Sequence, residues 1–284
     1  MRRHILHETV YRYHQPVTFG THRLVIRPRE GHDVQVESLS LGIRPAHRIS
    51  WQRDVFGNSI AWVDFLEPSK ELSIRVETIL RHGSPISVPN PAAKPTSPYP
   101  VTYPEMELPV LQGYLQSVYP AERKELETWV RLQAFMAKPT DAIALATGLN
   151  DWIHRHIQYR RREERGVQSP LETLRQSSGS CRDMATLMME AARPLGLAVR
   201  FASGYLDCAA SAAGRASTHA WIEIYHPDWG WCGYDPTLNE PTSQKHIVTG
   251  VSSHPRGVMP VSGTYHGGSQ FYGGMEVTVR LTPA

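Results

Sequence analysis

A stretch of the chain from Gln176 to Glu190 joins a loop of small residues directly to an amphipathic segment: Gln-Ser-Ser-Gly-Ser-Cys-Arg-Asp-Met-Ala-Thr-Leu-Met-Met-Glu. Ser180 is a favourable helix N-cap, and Asp183 stands three residues later, where an acidic side chain completes a capping box. Apolar residues then recur at helical spacing: Met184, Leu187, Met188 and Ala191. The sequence therefore predicts a sharp turn followed by a helix that begins at Cys181.

This position places the Cys181 thiol beside unpaired amide N–H groups and the positive end of the helix dipole. That field favours the thiolate and lowers the pKa of a cysteine towards neutral pH. Arg182 adds a further positive charge. A lone cysteine is more often a small buried hydrophobic residue. The interpretation of Cys181 as a nucleophile therefore needs a base elsewhere in the chain.

Further along, two strand-like runs flank a turn at residues 226–228 and predict a hairpin. If Tyr225 pairs with Trp229, the antiparallel register places His219 opposite Asp235. Cross-strand neighbours lie about 5 Å apart at Cβ, so the carboxylate can bond one imidazole nitrogen and direct the other outward. A cysteine at a helix start, a strand histidine and an opposing aspartate make a nucleophile, its base and the group that orients the base.

Three blocks of sequence together resemble the transglutaminase-like superfamily. They are Gly-Ser-Cys-Arg-Asp at residues 179–183, His-Ala-Trp at 219–221 and Gly-Tyr-Asp-Pro-Thr at 233–237. Their order and rough spacing match the Cys, His and Asp blocks of that group, which includes transglutaminases, peptide N-glycanases and bacterial proteins similar to cysteine peptidases. Thr218 departs from the small acidic residue that many relatives carry there, at a position that we do not expect to touch the chemistry.

The resemblance implies an α+β fold with a papain-like core, in which the nucleophile helix packs on an antiparallel sheet. It also implies that the N-terminal part is the β-rich, sandwich-like domain that precedes this core in bacterial members. Alternating apolar residues predict a β-rich domain over residues 1–82, and the proline-rich run over 83–109 predicts a connection that leads into the catalytic core over 110–284. Bacterial members are expected to be peptidases or amidases more often than crosslinking enzymes.

The expected chemistry is attack by the Cys181 thiolate on the carbonyl of a peptide or protein amide, which forms a thioester. His219 protonates the departing amine, and Asp235 supports the imidazolium. The Cys181 backbone N–H is one expected oxyanion donor. Tyr159 and Gln168 are both candidates for the second donor, and spacing does not choose between them.

The sequence leaves open whether water or an amine resolves the thioester, so hydrolysis and protein crosslinking both remain. The alternative to an enzyme is a non-catalytic binding module that keeps the fold. A degenerate module would tolerate loss of the cysteine, the histidine or the aspartate, and the presence of all three favours an enzyme.

Composition limits which partners and which cellular location the sequence predicts. A net charge of +3 over 284 residues is too small to indicate nucleic-acid binding, and no apolar run is long enough to predict a membrane span. The acidic residues are dispersed and the three cysteines show no zinc spacing, so we expect no metal or cofactor. An odd cysteine count without a signal-peptide pattern predicts a cytoplasmic location. The oligomeric state is not predictable from the sequence.

Other patterns in the sequence give weaker indications of structure or function. The segment Asp54 to Asn58 resembles a motif of the family's N-terminal domain, but turn architecture is its favoured interpretation. Arginines 23, 27 and 29 are expected on a solvated strand face, and Glu223 in a surface salt bridge. The alternating run from Met275 to Leu281 is expected to close a sheet edge. His226, Cys208 and Cys232 are expected to be bystanders.

Overall fold

The computed structural model describes residues 1–83, 96–162, 166–211 and 215–284, with the side chains of residues 208–217 left out of the description. Most of the predicted proline-rich connection (84–95), part of the charged run at 160–165 and the side chain of Cys208 therefore lie outside the described residues. In the described part of the chain, no helix is both long and apolar enough to cross a bilayer.

The N-terminal region is built from strands, as predicted. Alternate residues of its first strand are buried, so one face packs inward while the other meets solvent. The strands are β1 (Arg2–Phe19), β2 (His22–Leu24), β3 (Val34–Arg44), β4 (His47–Arg53), β5 (Ser59–Phe65) and β6 (Ser69–His82). Strands β3, β6 and β1 are neighbours in one sheet, while β2, β5 and β4 belong to a second. Buried residues of both sheets form one apolar cluster, which matches the predicted sandwich-like arrangement.

Helices follow in the middle of the chain: α1 (Leu108–Leu115), α2 (Arg123–Arg131), α3 (Ala142–His156), α4 (Pro170–Gln176) and α5 (Cys181–Ala192). The Asp141 side chain caps α3 by accepting from the Ala144 N–H at 2.8 Å. Helix α5 is followed by a short 3₁₀ turn, which ends at Gly196 in the left-handed conformation (φ 79°) that favours glycine. Helix α5 lies almost wholly in the core, with every residue from Asp183 to Ala192 buried.

The remaining strands complete the fold: β7 (Gln158–Tyr159), β8 (Ser178–Gly179), β9 (Val199–Ser211), β10 (Arg215–His226), β11 (Gly230–Asp235), β12 (Glu240–Pro241), β13 (His246–Ser252), β14 (Val261–Ser262), β15 (Tyr265–His266) and β16 (Tyr272–Pro283). Strand β10 pairs antiparallel with both β9 and β11. Its residues Ala220, Ile222 and Ile224 share an apolar cluster with α5. The predicted α+β class, with a helix on an antiparallel sheet, is confirmed.

The last strand does not lie at a sheet edge, so that prediction is wrong. Strand β16 lies between β1 and β10, and pairs with β1 from Arg3 opposite Pro283 onward. Alternating hydrophobicity reports which face of a strand is buried, and both edge and interior strands of such a sheet carry it. One sheet thus runs from the N-terminal region into the core, and the boundaries proposed at residues 82 and 109 stay a prediction.

His7 lies where this sheet joins β1 to the core. Its ring is buried between the Tyr205 hydroxyl, 3.0 Å from Nδ1, and the Thr9 hydroxyl, 3.1 Å from Nε2. Burial lowers the pKa of His7 to about 4. The unfolded chain therefore takes up this proton below about pH 6.5, whereas the folded protein does not until about pH 4.

The folded state should consequently lose stability as the pH falls from about 6.5 to 4. Replacing His7 by glutamine keeps a hydrogen-bonding side chain but removes the titration. The difference in unfolding free energy between pH 7 and pH 4.5 should shrink by about 2 kcal/mol in H7Q. Urea denaturation at the two pH values measures this, and the exposed His14→Gln serves as the control. An equal pH dependence in wild type and H7Q would contradict this account of His7.

The segment Asp54 to Asn58 forms the expected turn, and that turn also ties the β4–β5 hairpin to β13. One Asp54 carboxylate oxygen accepts the N–H groups of Phe56 and Asn58. The buried Asn58 amide exchanges two hydrogen bonds with the backbone of Val251 on β13, at 2.7 and 2.9 Å. The expectation for the nearby arginines is wrong in part. The half-buried Arg29 donates to Asn58, and Arg23 pairs with Asp54.

Asn58→Ala should lower the free energy of unfolding by about 3 kcal/mol, because it strands the buried N–H and C=O of Val251 and a donor of Arg29. Chemical denaturation followed by tryptophan fluorescence measures the change. Gln35→Ala, which removes an exposed amide side chain on β3, is the matched control and should change stability by less than about 0.5 kcal/mol. A loss as small as that of the control would show that Asn58 does not hold the turn to β13.

Candidate active site

The start of α5 is held by one buried carboxylate. One oxygen of Asp183 accepts the Ser180 backbone N–H and hydroxyl, each at 2.8 Å. The other accepts the Gln168 backbone N–H at 2.8 Å and an Arg162 guanidinium N–H at 3.0 Å. The capping box predicted from Ser180 and Asp183 is therefore present, and it also ties the preceding loop to the helix. Helix α5 begins at Cys181, as predicted.

Gly179 allows the loop to approach this carboxylate. A Cβ at Gly179 would lie 2.8 Å from Asp183 Cβ and 3.0 Å from Gln168 Oε1, closer than packed carbon atoms approach. The short strand β8 that contains Gly179 pairs in parallel with β7, so that Tyr159 lies beside Gly179. The absence of a side chain at Gly179 thus lets two segments close over the residues that precede Cys181.

Cys181 is half-buried at the first position of α5, and its thiol hydrogen bonds to the His219 side chain. Burial alone would raise the pKa of Cys181, but the positive charge and hydrogen bond of His219, with Arg182, lower it instead. Burial would likewise lower the pKa of His219, but the Cys181 thiolate and Asp235 raise it. The pair is therefore stabilised as a thiolate and an imidazolium.

Asp235 lies behind His219, and its Oδ2 is 2.7 Å from His219 Nε2. Because Nε2 faces the carboxylate, the hydrogen bond to Cys181 uses the other ring nitrogen, Nδ1. The second oxygen of Asp235 accepts the N–H groups of Thr237 and Leu238 at 2.9 and 3.3 Å. Burial opposes ionisation of Asp235, but the hydrogen bonds from two histidines outweigh it and hold the pKa well below its ordinary range.

The predicted register of the hairpin is wrong by two residues. Tyr225 pairs with Trp231 rather than Trp229, so Asp235 does not lie directly opposite His219. The loop is one turn followed by Gly230, which adopts a positive φ of 71° that closes a three-residue connection. Gly230 is the sequence signal that the predicted register missed. A shift of two residues keeps each side chain on its face, and Asp235 still reaches His219.

The structure places the two oxyanion candidates near the same loop. Tyr159 is exposed on β7 next to Gly179. Gln168 is buried, and its side-chain amide is already engaged, because Nε2 donates to Gln176 and Oε1 accepts from Thr173. The choice between them stays a prediction, as does the assignment of Cys181 N–H as the first donor.

Several other predicted residues lie outside this group. Glu223 is buried and pairs with Arg200 at 2.6 Å, so it is not a surface residue as expected. His226 is buried beside the Tyr234 hydroxyl, and burial lowers its pKa to about 4. Burial raises the pKa of Cys232 to about 11. Of the two cysteines whose side chains the structure describes, Cys181 is therefore the one that favours the thiolate.

Sequence reasoning missed His246. This residue begins β13 in a polar region that carries no periodic pattern, yet its Nε2 lies 3.0 Å from Asp235 Oδ2. The ring is buried and packs edge-on against Trp221, with centroids 5.1 Å apart. Trp221 also stacks against His219. A lone histidine after a loop gives no signal that it will meet Asp235 across the sheet.

In the described part of the chain, His219, Asp235 and His246 form a cluster whose ligand atoms lie within 4.8 Å of one another. The donor set does not fit a metal ion. The Ser243 backbone N–H donates to His246 Nδ1 at 3.2 Å, so Nδ1 has no proton and Nε2 must carry it. That proton points at the carboxylate, which leaves Nε2 without a lone pair for a metal.

Comparisons with known proteins match two parts of this chain to known families. Residues 4–81 match the model of the bacterial transglutaminase-like N-terminal region, and residues 131–236 match that of the transglutaminase-like superfamily. An uncharacterized protein of Mycobacterium leprae is 25% identical over 99% of this chain and 98% of its own length. One from Mycobacterium tuberculosis is 26% identical over 99% and 93%.

The crystal structure of a candidate cysteine protease from Cytophaga hutchinsonii superimposes with a TM-score of 0.71 at 16% identity, covering all of this chain and 91% of the other. At that identity, the likeness shows the fold. The two matched family models, over residues 4–81 and 131–236, identify the chain: it belongs to the transglutaminase-like superfamily and carries the bacterial N-terminal region ahead of the core.

Proposed function

We propose that this protein is a thiol-dependent enzyme that cleaves an amide bond of a peptide or protein through a thioester on Cys181. One observation carries the proposal. A half-buried cysteine at the start of a helix hydrogen bonds to a histidine that a buried, ionised aspartate holds from behind. This arrangement supplies a nucleophile that is already a thiolate and an acid that is already protonated.

In the first step, the Cys181 sulfur forms a bond to the amide carbonyl carbon, and the carbonyl electrons move to oxygen. As the tetrahedral adduct collapses, the carbon–nitrogen bond breaks and the Nδ1 proton of His219 passes to the leaving amine. The products are the free amine and a thioester, with His219 neutral. Asp235 keeps the Nε2 proton in place, so the lone pair of His219 remains at Nδ1.

In the second step, His219 Nδ1 takes a proton from water as the oxygen attacks the thioester. The carbon–sulfur bond breaks, a carboxylic acid leaves, and the thiolate–imidazolium pair returns. An amine in place of water would give a new amide, which is the crosslinking alternative. We favour hydrolysis because the resemblance to bacterial members of the superfamily points to peptidases and amidases more often than to crosslinking enzymes. The cytoplasmic location stays a prediction.

The test is a screen of peptide amides and dye-labelled proteins, with and without a primary amine, read by mass spectrometry of products and of intact protein. We expect release of a carboxylic acid and a transient mass increase on Cys181 equal to the acyl group. Incorporation of the amine instead would favour crosslinking. Binding of substrates without any acyl-enzyme or product, at saturating concentration, would favour the non-catalytic binding module.

A further inference from the structure

Asp235 accepts hydrogen bonds on both carboxylate oxygens, and the two sides are held by different elements. Oδ1 is held by backbone N–H groups of the turn that follows β11. Oδ2 receives His219 and, from the opposite direction, His246 of β13. Of the two partners of Oδ2, His219 takes part in the proposed chemistry, whereas His246 has been given no role in it.

His246 is held in one orientation and one tautomer. Its own loop supplies the Ser243 N–H to Nδ1, which fixes the proton on Nε2. Trp221, which is fully buried, packs against the ring and prevents it from turning. A histidine with both nitrogens engaged and its ring packed can donate in one direction only, and that direction is Asp235 Oδ2.

We infer that His246 is a positioning residue, which holds the Asp235 carboxylate so that Oδ2 stays on His219 Nε2. This inference rests on the proposed function, since His246 acts there through Asp235. Without the His246 donor, Oδ2 would be held by His219 alone, the very group that the carboxylate has to orient. With the His246 donor in place, both oxygens are fixed, and the imidazolium of His219 faces a stationary charge.

The charged groups that face His219 and His246 come from the elements packed against these two residues. His219 faces Cys181 of α5 and Asp235 of β11, and Arg182 acts on the Cys181 thiol. His246 faces Asp235 on one side and, on the other, lines a cavity of about 270 Å³ together with Asp33, His82 and Glu223. None of these other groups donates to Asp235, so the effect of His246 on His219 passes through the carboxylate.

The test uses two variants and a readout that needs no substrate. H246F keeps the ring and its packing against Trp221 but removes the donor. H246Q keeps a side-chain N–H for Asp235. Its side-chain oxygen replaces Nδ1 as the acceptor for the Ser243 N–H. The rate of Cys181 alkylation by iodoacetamide is followed from pH 4 to pH 11, with peptide mapping to separate Cys181 from Cys232. The upper inflection of the profile reports the loss of the His219 proton.

We expect this upper inflection to move down by about one pH unit in H246F, since a carboxylate less firmly held on His219 Nε2 loses part of its charged hydrogen bond to the imidazolium, which is worth roughly that amount. H246Q should restore at least half of the shift. An H246F protein that is folded and keeps the wild-type inflection would overturn the inference, because a residue that only packs would lower the melting temperature alone. Equal shifts in H246F and H246Q would also overturn it, since they would not follow the donor.

Two safeguards keep the result interpretable. If H246F does not fold, H246N takes its place, because asparagine is polar but too short to reach Asp235, and the same downward shift is expected. If wild-type Cys181 shows no low-pH thiolate at all, the proposed function fails. If wild type shows the thiolate but the variants do not change the upper inflection, the role of His246 alone fails.

Discussion

Cys181→Ser is expected to lower turnover of any amide substrate of this protein by about 10⁴-fold or more. Serine keeps the shape and the helix position of Cys181, but its hydroxyl is far less acidic than a thiol and stays protonated beside His219. The oxygen would then have to lose its proton during the attack, in a site arranged to hold a pre-formed thiolate. Steady-state kinetics on the best substrate from the screen measures the loss, and the KM should change little.

Cys232→Ser is the matched control. Cys232 is also a free, partly buried thiol, but burial raises its pKa to about 11 and it lies away from His219. We expect the turnover of the C232S protein to stay within about threefold of wild type, since Cys232 does not contact the reacting groups. Comparable activity of the C181S and wild-type proteins would remove Cys181 from the mechanism.

Asp235→Asn is expected to lower kcat by about 10³-fold to 10⁴-fold. The backbone N–H groups of Thr237 and Leu238 require an acceptor at the Oδ1 position. The asparagine oxygen must therefore stay there, and its NH₂ group faces His219 Nε2. Two donors then meet, so His219 has to move its proton to Nδ1, which removes the lone pair that accepts a proton in the second step. The NH₂ group also faces the His246 donor.

Rapid-mixing experiments separate the two steps in D235N. We expect the thioester that forms to be hydrolysed slowly and therefore to persist, while the affinity for substrate stays close to wild type. Asp64→Asn, an exposed carboxylate on β5 that accepts from Thr21, controls for loss of one negative charge. A D235N protein with kcat within tenfold of wild type would mean that Asp235 does not set the tautomer of His219.

The parts of this site that are local in sequence were predictable from it. The N-cap, the acidic partner and the helix start at Cys181 follow from side chains within four residues of one another, and the structure has them as expected. The hairpin was predictable as well, but its register was not, because the three-residue loop is 227–229, closed by Gly230 at positive φ, and not 226–228. The contact between His219 and Asp235 survived this error since the strand repeat is two residues.

The parts that depend on distant pairing were not predictable. His246 meets Asp235 because β13 pairs with β9, which pairs with β10, and no pattern in the sequence specifies that order. The insertion of β16 between β1 and β10 likewise unites the two ends of the chain in one sheet. Asn58 looked like an ordinary turn residue, and only the fold brings Val251 to its amide. Such long-range partners arise from topology, which hydrophobic periodicity does not encode.

The central claim is that Cys181 and His219 form a thiolate–imidazolium pair, and the pH dependence of Cys181 alkylation in wild type and His219→Ala tests it most directly. Iodoacetamide modification followed by peptide mapping gives the rate at each cysteine, and Cys232 serves as the internal control. We predict that wild-type Cys181 reacts well below the free-thiol pKa of about 8.5, that H219A loses this low-pH reactivity, and that Cys232 reacts only in alkali in both proteins. A Cys181 that reacts no earlier than Cys232, or with the same profile in H219A, would contradict the account.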